Sequence, residues 1–270
     1  MLLKINEAVD FIKNIYDVKP TVGIVLGSGL GNFINEIKIS KEISYKDIPY
    51  FPMSTVEGHD VKLIFGELGG KKIVAMSGRF HYYEGYSSEQ IVFPIRVLKY
   101  LGIDTLLITN AAGGVNPAFK VGDLMIINDH ISQLIPNPLV GKNYKEFGSR
   151  FPDMSEPYKK SLIAKVKKIA TEKNIKVQEG VYVAVTGPTF ETHAEYKMIL
   201  RLGGDAVGMS TVQEVITAVH LGLPVFAMSV ITDVGIRDDD NIITHEEVLQ
   251  AAKDVEPIFK ILICELIAQL

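Results

Sequence analysis

The chain alternates short apolar runs rich in valine and isoleucine with segments whose apolar residues recur at helical spacing. Parallel strands that are covered on both faces have such runs, and the covering helices return the chain from one strand to the next. The alternation therefore predicts an α/β fold with a mainly parallel sheet. The predicted strands are 21–26, 62–67, 72–76, 104–109, 124–130, 181–185, 206–209 and 225–231. The predicted helices are 5–16, 88–101, 158–173, 193–202, 211–220 and 245–268.

The sequence predicts one domain that spans residues 1–270. Hydrophobic residues make up 47% of the chain, which is enough for a large core, and no linker, low-complexity tract or internal repeat divides it. Only residues 132–157 have no predicted element. Such a long loop in a compact domain is usually functional or packed against something, so we expect an active-site cover or a subunit contact there.

Charge and composition exclude several classes of function. With 28 Lys and Arg against 32 Asp and Glu, the net charge of -4 provides no field that would attract nucleic acid. The single cysteine, Cys264, excludes disulfides and thiolate metal sites. The charged N-terminal segment does not resemble a signal peptide, and no apolar run approaches the roughly 20 residues that cross a bilayer. We therefore expect a soluble, cytoplasmic protein with no membrane or nucleic-acid partner.

The first predicted strand ends in the sequence GSGLG at residues 27–31. Glycines there allow backbone N–H groups to turn toward an anion such as phosphate at the start of a helix. The third glycine comes one position too early for the dinucleotide-binding fingerprint, and Asn32 stands where that fingerprint needs it. A tight turn without a ligand explains the motif equally well.

Three further clusters follow predicted strands: GRFHYYEGY at 78–86, TNAAGG at 109–114 and GMST at 208–211. Arg79 offers a planar fork of donors for phosphate oxygens, and His81 beside it can donate to the same anion. Ser210 stands where the donors of a helix N-terminus converge, although simple helix capping accounts for it as well. Ligands of open α/β sheets lie outside the carboxyl ends of the strands. All four clusters fall there, which predicts one shared anion-binding site.

The sequence lacks the motifs of several other catalytic classes. The six histidines do not have metal-site spacing, and His130 and His220 each end an apolar element, which favours packed structural residues. The chain has neither a Gly-x-Ser-x-Gly elbow nor a Walker sequence. We expect neither a metal nor a nucleophilic serine.

Seven motifs in order make the chain resemble the trimeric purine nucleoside phosphorylases. They are GSGLG, EGH at 57–59, GRFHYYEGY, TNAAGG, GPTFET, VGMSTVQE and THEEVL. The resemblance implies a nucleoside phosphorylase fold, a single α/β domain with a mixed, partly barrel-like central sheet flanked by helices. It also implies a homotrimer of purine salvage that splits purine ribonucleosides and deoxyribonucleosides with inorganic phosphate. No organic cofactor is implied, because phosphate is a co-substrate.

The resemblance also implies residue roles. Phosphate would be held by Ser28, His59 on a loop, Arg79, His81, the Ala111 backbone and Ser210. The nucleoside would be held by Tyr83 and Met209 at the ribose, His245 at its 5'-hydroxyl, Phe190 stacked on the purine, Glu191 at N1–H, and Val207. A neighbouring subunit would contribute Phe151, for which anchoring of its own long loop is the alternative. His81, Glu191, Asp233 and His245 are the expected catalytic residues. For His245, capping of its own helix is the alternative.

One position departs from the family pattern. In the sequence SVITD at 229–233, Asp233 occupies the place where most of these enzymes have an asparagine that reads O6 and N7 of the base. This leaves the preference between 6-oxo- and 6-aminopurines open. The segment from Asp233 to His245, with Arg237 and the aspartates 238–240, is also shorter than usual, and its aspartates fit a solvated turn.

Three alternatives remain at this point. Methylthioadenosine phosphorylase has the same fold and places aspartates near the base, but the imidazole of His245 would be a poor neighbour for an apolar methylthio group. A nicotinamide dehydrogenase would need the displaced third glycine. A non-catalytic nucleotide sensor would not need Arg79 and His81 beside a base-stacking Phe190.

Overall fold

The described residues form a nine-stranded mixed sheet, and most of its strands are apolar runs. The structure is a computed structural model that describes residues 1–53, 61–235 and 244–270. The strands are β1 (Val22–Val25), β2 (Lys38–Ser44), β3 (Lys62–Leu68), β4 (Lys71–Met76), β5 (Thr105–Gly114), β6 (Leu124–Ile131), β7 (Gln178–Ala184), β8 (Ala206–Gly208) and β9 (Val225–Val234). The α-helices are α1 (Leu2–Ile15), α2 (Ser88–Ile91), α3 (Phe93–Leu101), α4 (Lys160–Glu172), α5 (His193–Arg201), α6 (Val212–His220) and α7 (His245–Ala268).

The strand order is β2-β3-β4-β1-β5-β8-β7-β6-β9, and β9 also pairs with β5. This extra pairing closes five of the strands, β5 to β9, into a ring and leaves β2, β3, β4 and β1 as an open extension. β1 pairs in parallel with β4 and β5, whereas β6 pairs antiparallel with β9. The sheet is therefore mixed and partly barrel-like, flanked by helices, as the resemblance implied.

The sequence analysis missed β2. Five of its seven residues are exposed, and it pairs only with β3, so it lacks the apolar run that marks a buried strand. Lysine side chains along this edge strand discourage pairing with another chain. A polar edge strand of this kind has a weak sequence signal.

The predicted helix 88–101 is divided in two. Helix α2 ends at Ile91 and α3 begins at Phe93, with Val92 between them. Pro94 lies in the first turn of α3, where its missing N–H costs nothing, but it could not continue the hydrogen bonds of the preceding helix. Proline therefore separates the two helices.

Strands β5 and β9 are longer than predicted, and this matters for the site. The TNAAGG cluster at 109–114 lies within β5 instead of following it, and Asp233 lies within β9. The two strands run in parallel, and a register shift between Ala112 and Gly113 brings Gly113 opposite Asp233. The TNAAGG residues and Asp233 thus lie on long paired strands rather than on loops.

The main core lies between this sheet and its helices. Its largest fully buried side chains include Tyr45, Tyr158, Phe33 and Phe226. A smaller cluster of Val115, Val183, Tyr196, Ile199 and Val207 packs separately from the main core. Two of its members, Tyr196 and Val207, also line the candidate active-site cavity described below. None of the described helices is long and apolar enough to span a membrane.

Candidate active site

One cavity of about 360 Å³ brings most of the predicted site residues together. Twelve of them line it: Ser28, Arg79, His81, Tyr83, Ala111, Phe190, Glu191, Val207, Met209, Ser210, Asp233 and His245. These residues come from strand ends and helix starts that are far apart in sequence. The four glycine-containing clusters do converge on one cavity.

Of the two remaining predicted site residues, one lies outside the described residues and the other lines a different cavity. His59, with the EGH motif, lies outside the described residues, as do Arg237 and the aspartates 238–240. Phe151 is 87% exposed and lines a different cavity, together with His130 and Arg150. The contact between Phe151 and a neighbouring subunit, which the resemblance implies, stays a prediction.

Arg79, His81 and Ser210 form the basic cluster of the cavity. The Arg79 guanidinium is buried, with 7% of the residue exposed. Its Nη1 donates to the hydroxyls of Ser210 and Thr211, both at 3.0 Å, and its Nη2 donates to the Thr109 carbonyl at 2.5 Å. Strand β5 and the start of α6 therefore fix this guanidinium at the wall of the cavity.

A buried carboxylate neutralises Arg79. Glu214 Oε2 lies 3.3 Å from Arg79 Nη1, and both side chains are almost completely buried. Burial raises the pKa of the Glu214 carboxyl, while the charges of Arg79 and His81 oppose this shift. The pair keeps a guanidinium at the cavity without leaving a bare charge inside the protein.

The backbone is strained where α6 begins. Thr211 has φ 71°, which is rare for a β-branched residue and costs on the order of 1–3 kcal/mol. Its hydroxyl accepts hydrogen bonds from Arg79 and from Asn110 Nδ2, the latter at 2.8 Å. These contacts hold Ser210 and Thr211 at the cavity. Thr211 makes no side-chain cap to α6, so the hydroxyls at this helix start face Arg79 instead.

His81 is oriented by Glu84. The Glu84 carboxylate accepts from the His81 backbone N–H at 2.9 Å, and its Oε1 lies 3.0 Å from His81 Nδ1. A proton on Nδ1 satisfies this contact and leaves Nε2 for a ligand. The imidazole also stacks on Tyr83, with ring centroids 4.8 Å apart and planes at 14°. Its position is thus fixed from two sides.

Glu191, Tyr196 and Asp233 form the acidic cluster of the cavity. The Tyr196 hydroxyl donates to Asp233 Oδ2 at 3.2 Å, and Glu191 lies in the wall of the same cavity. Thr232 Oγ1 lies 3.1 Å from Asp233 Oδ1 and donates to it. Burial raises the pKa of the Glu191 carboxyl, and the charge of Asp233 raises it further. Phe190 beside them is 41% exposed and offers an aromatic face to the cavity.

His245 lines the cavity at the start of α7, while its neighbour Thr244 caps the helix. Thr244 Oγ1 accepts from the Glu247 backbone N–H, and the Glu247 carboxylate accepts from the Thr244 backbone N–H, both at 3.2 Å. This capping box needs no contribution from the imidazole. His245 is therefore available to a ligand.

Thr244→Ala should lower the free energy of unfolding by about 1 kcal/mol, because it removes the helix cap. If the cavity binds a nucleoside, as the resemblance implies, the nucleoside KM should also rise severalfold, since the loosened first turn carries His245. Urea unfolding and steady-state kinetics measure the two effects. Thr244→Ser keeps the capping oxygen and is the control. A nucleoside KM that is unchanged in the alanine variant would show that the cap does not position His245.

Sequence reasoning missed three residues that organise the site: Glu84, Tyr196 and Glu214. Glu84 was visible in the GRFHYYEGY motif but had no assigned part. Glu214 follows Thr211 at the spacing of a capping box, which gave no sign of an ion pair with Arg79. Tyr196 lies inside a helical segment, where its apolar ring is the expected core contact. Only the tertiary fold reveals these partners.

His130 and His220 have structural contacts. His130 Nδ1 lies 3.1 Å from the Tyr158 hydroxyl, and His220 Nε2 lies 2.9 Å from the Ser149 carbonyl. Burial lowers the pKa of both imidazoles. Within residues 1–53, 61–235 and 244–270, no group of three or more His, Cys, Asp or Glu side chains is arranged to hold a metal ion.

Comparison with known proteins shows the family to which this chain belongs. The family model of the phosphorylase superfamily matches residues 21–268. Purine nucleoside phosphorylase 1 of Geobacillus stearothermophilus is 51% identical over 255 residues, which are 94% of this chain and 93% of that protein.

Solved structures agree in fold. Isoform 2 of purine nucleoside phosphorylase from Schistosoma mansoni, in complex with cytosine and ribose-1-phosphate, is 47% identical with a TM-score of 0.95. The match covers 99% of this chain and 96% of that one. A Schistosoma mansoni purine nucleoside phosphorylase in complex with adenosine is 40% identical with a TM-score of 0.95, over 100% of this chain and 98% of that one. The chain belongs to the purine nucleoside phosphorylases of the phosphorylase superfamily.

Proposed function

We propose that this enzyme transfers the pentosyl group of purine ribonucleosides and deoxyribonucleosides to inorganic phosphate. The products are the free base and ribose 1-phosphate or its deoxy form. The observation that carries the proposal is one cavity with a basic cluster suited to an anion and an acidic cluster beside an aromatic ring. The names of the related proteins support the same reaction.

For phosphate, we propose Ser28, Arg79, His81, the backbone of Ala111 and Ser210 as ligands, with His59 from outside the described residues. Arg79 and His81 are both held in place before a ligand arrives, by Glu214 and Glu84 respectively. Preorganised donors lose little entropy on binding, and charge-assisted hydrogen bonds to an anion are the strong ones.

For the nucleoside, the proposed ribose contacts are Tyr83 and Met209, with His245 at the 5'-hydroxyl. Phe190 would stack on the purine and Val207 would pack beside it. Glu191 and Asp233 would read the edge of the base. The burial of the Glu191 carboxyl suits a group that exchanges hydrogen bonds with a base rather than with water.

The reaction would proceed by displacement at C1'. As the glycosidic bond stretches, the ribose gains positive charge, which the phosphate dianion stabilises before it attacks. His81, which contacts the phosphate, and His245, which orients the ribose, would keep these partners aligned. Glu191 and Asp233 would stabilise the departing base through its N1, 6-substituent and N7. The chemistry needs neither an electron sink nor a hydride, and phosphate serves as co-substrate rather than cofactor.

We also propose that the chain works in purine salvage in the cytoplasm, as one domain over residues 1–270 that assembles into a homotrimer. The exposure of Phe151, 87%, supports this assembly because a large aromatic side chain so open to solvent suits a subunit contact. In the trimer it would complete the ribose site of the neighbouring subunit.

Phe151→Ala should raise the nucleoside KM by about tenfold or less and leave the phosphate KM within about twofold, because the lost contact is apolar and lies at the ribose. Steady-state kinetics measure both constants, and sedimentation shows whether the variant still assembles. Leu3→Ala, at another large apolar residue that is 76% exposed but does not line the Phe151 cavity, provides the matched control. A fully active monomer would overturn the shared site.

A substrate panel of inosine, guanosine, adenosine and 5'-methylthioadenosine tests the proposed function. We expect phosphate-dependent release of base from inosine and guanosine, and measurable activity on adenosine. The acidic residue at position 233 keeps methylthioadenosine phosphorylase as the alternative function. A clear preference for methylthioadenosine over all other substrates would favour that alternative and contradict the proposed role of His245.

A further inference from the structure

Helix α7 touches both the phosphate part and the ribose part of the proposed site. His245, the proposed ribose ligand, is its first residue, and the loop that carries the proposed phosphate ligand Ser28 lies against its side. A Cβ added to Gly29 would lie 2.5 Å from Ala252 Cβ and 3.2 Å from the Leu249 carbonyl oxygen. Only glycine allows so close an approach. The phosphate loop therefore packs directly on α7, within about two helical turns of His245.

The short 3-10 helix that follows the loop, Gly31–Glu36, continues this contact. Phe33 packs edge to face on Phe259 of α7, with ring centroids 5.8 Å apart, and both side chains are fully buried. Glu36 forms an ion pair with Lys260 at 3.3 Å, but the Glu36 side chain is well exposed, so this pair contributes little. The buried aromatic pair is therefore the main anchor between the 3-10 helix and the later turns of α7.

Pro257 divides α7 into two parts. Proline has no N–H, so one backbone hydrogen bond of the helix is missing at this point. Phe259 lies beyond Pro257, whereas His245 lies before it. The aromatic anchor therefore does not by itself fix the part of α7 that carries His245. Contacts made by residues 245–256 are needed for that.

Asn32 and Glu256 make a polar contact on the His245 side of Pro257. Asn32 Nδ2 donates to Glu256 Oε2 at 3.1 Å. Glu256 is 5% exposed, and its other oxygen, Oε1, has no hydrogen-bond partner in the described part of the chain and lies 3.8 Å from Lys260 Nζ. A buried carboxylate that is only partly satisfied costs stability relative to an apolar side chain. Glu256 therefore suits a residue that holds Asn32 in place rather than one that stabilises the fold.

We propose that Glu256 is a positioning residue that, through Asn32, couples the binding of phosphate to the binding of the nucleoside. This inference rests on the proposed function and adds to it a means by which the two substrates reinforce each other. Phosphate on Ser28 holds the loop, and the loop holds the first part of α7 through Gly29 and Asn32. His245 is thereby held at the ribose. Because such coupling is reciprocal, the nucleoside strengthens phosphate binding by the same factor.

Initial rates over a grid of inosine and phosphate concentrations measure the coupling. The coupling factor is the inosine KM extrapolated to zero phosphate, divided by the inosine KM at saturating phosphate. In the unmodified enzyme it should be at least about fivefold, the lower end of the usual coupling between two sites. Glu256→Met removes the acceptor and keeps a buried side chain of similar length, and Asn32→Ala removes the donor. Each should reduce the factor to less than about twofold.

Two further measurements separate positioning from stability. In Glu256→Gln the amide oxygen still accepts from Asn32, so the coupling factor should stay within about twofold of that of the unmodified enzyme. The melting temperature of Glu256→Met should change by less than about 4 °C, because an apolar side chain replaces a partly satisfied buried carboxylate. A residue with a purely structural role would not lose coupling while the protein keeps its stability.

The control is Gln250→Ala, which removes a hydrogen bond to Asp254 on the exposed side of α7 and should keep the coupling factor. The inference fails if Glu256→Met and Asn32→Ala keep the factor, if Glu256→Gln loses it as fully as Glu256→Met, or if the control loses it too. It also fails if the unmodified enzyme shows no coupling. In each case phosphorolysis by the unmodified enzyme still stands. If the unmodified enzyme releases no base from any nucleoside with phosphate, the proposed function itself fails.

Discussion

Arg79→Ala and His81→Ala should each raise the phosphate KM by about 10- to 150-fold, while the affinity for free purine changes less than about threefold. Charge-assisted hydrogen bonds to an anion contribute about 1.5–3 kcal/mol each, and both side chains line the cavity with their geometry already fixed. Initial rates over a range of phosphate concentrations give the first quantity. Equilibrium binding of hypoxanthine gives the second.

Arg79 needs a control for stability, because its removal leaves Glu214 as an unpaired buried carboxylate. Breaking such a pair costs about 3–5 kcal/mol, whereas replacing both partners by neutral groups can cost little. The double variant Arg79→Met with Glu214→Gln should recover most of the lost stability without recovering phosphate use. Variants that kept their phosphate dependence and lost affinity for purine would show that the assignment is wrong.

Asp233→Asn should shift the ratio of kcat/KM toward inosine over adenosine by about tenfold or more. An ionised carboxylate only accepts, which suits a 6-amino group, whereas the asparagine amide can donate to the 6-oxo group of inosine. About 1.4 kcal/mol, the scale of one hydrogen bond, corresponds to this factor. The two substrates are compared in the same assay at saturating phosphate.

The same comparison in Thr232→Val, which removes one hydrogen-bond donor to Asp233 but keeps the carboxylate, provides a matched control. It should change the ratio much less than Asp233→Asn does. An unchanged ratio in Asp233→Asn would mean that Asp233 does not read the base.

Most of the sheet could be predicted because buried strands have a strong local signal. Eight of the nine strands that the structure describes have predicted counterparts, and the exception, β2, is a polar edge strand with little to distinguish it from a loop. The closure of β5 to β9 into a ring was implied only by the resemblance. Periodicity reports how a segment is buried, but it does not report which distant strand lies beside it.

The candidate site, like the sheet, could be predicted only in part. Ser28, Arg79 and Ser210 follow strands, and ligands of α/β sheets bind at strand ends, so their convergence could be predicted. The residues that hold the site side chains in place could not be predicted. Glu214 is 135 residues from Arg79, and Tyr196 is 37 residues from Asp233. Such pairings depend on the tertiary fold, and neither has a local motif.

The stoichiometry of base release tests the central claim most directly. Inosine is supplied with and without inorganic phosphate, with no added cofactor, and hypoxanthine, phosphate consumed and ribose 1-phosphate are measured together. We predict one phosphate consumed and one ribose 1-phosphate formed for each hypoxanthine released, and no release without phosphate. Hypoxanthine formed together with free ribose in the absence of phosphate would contradict the account.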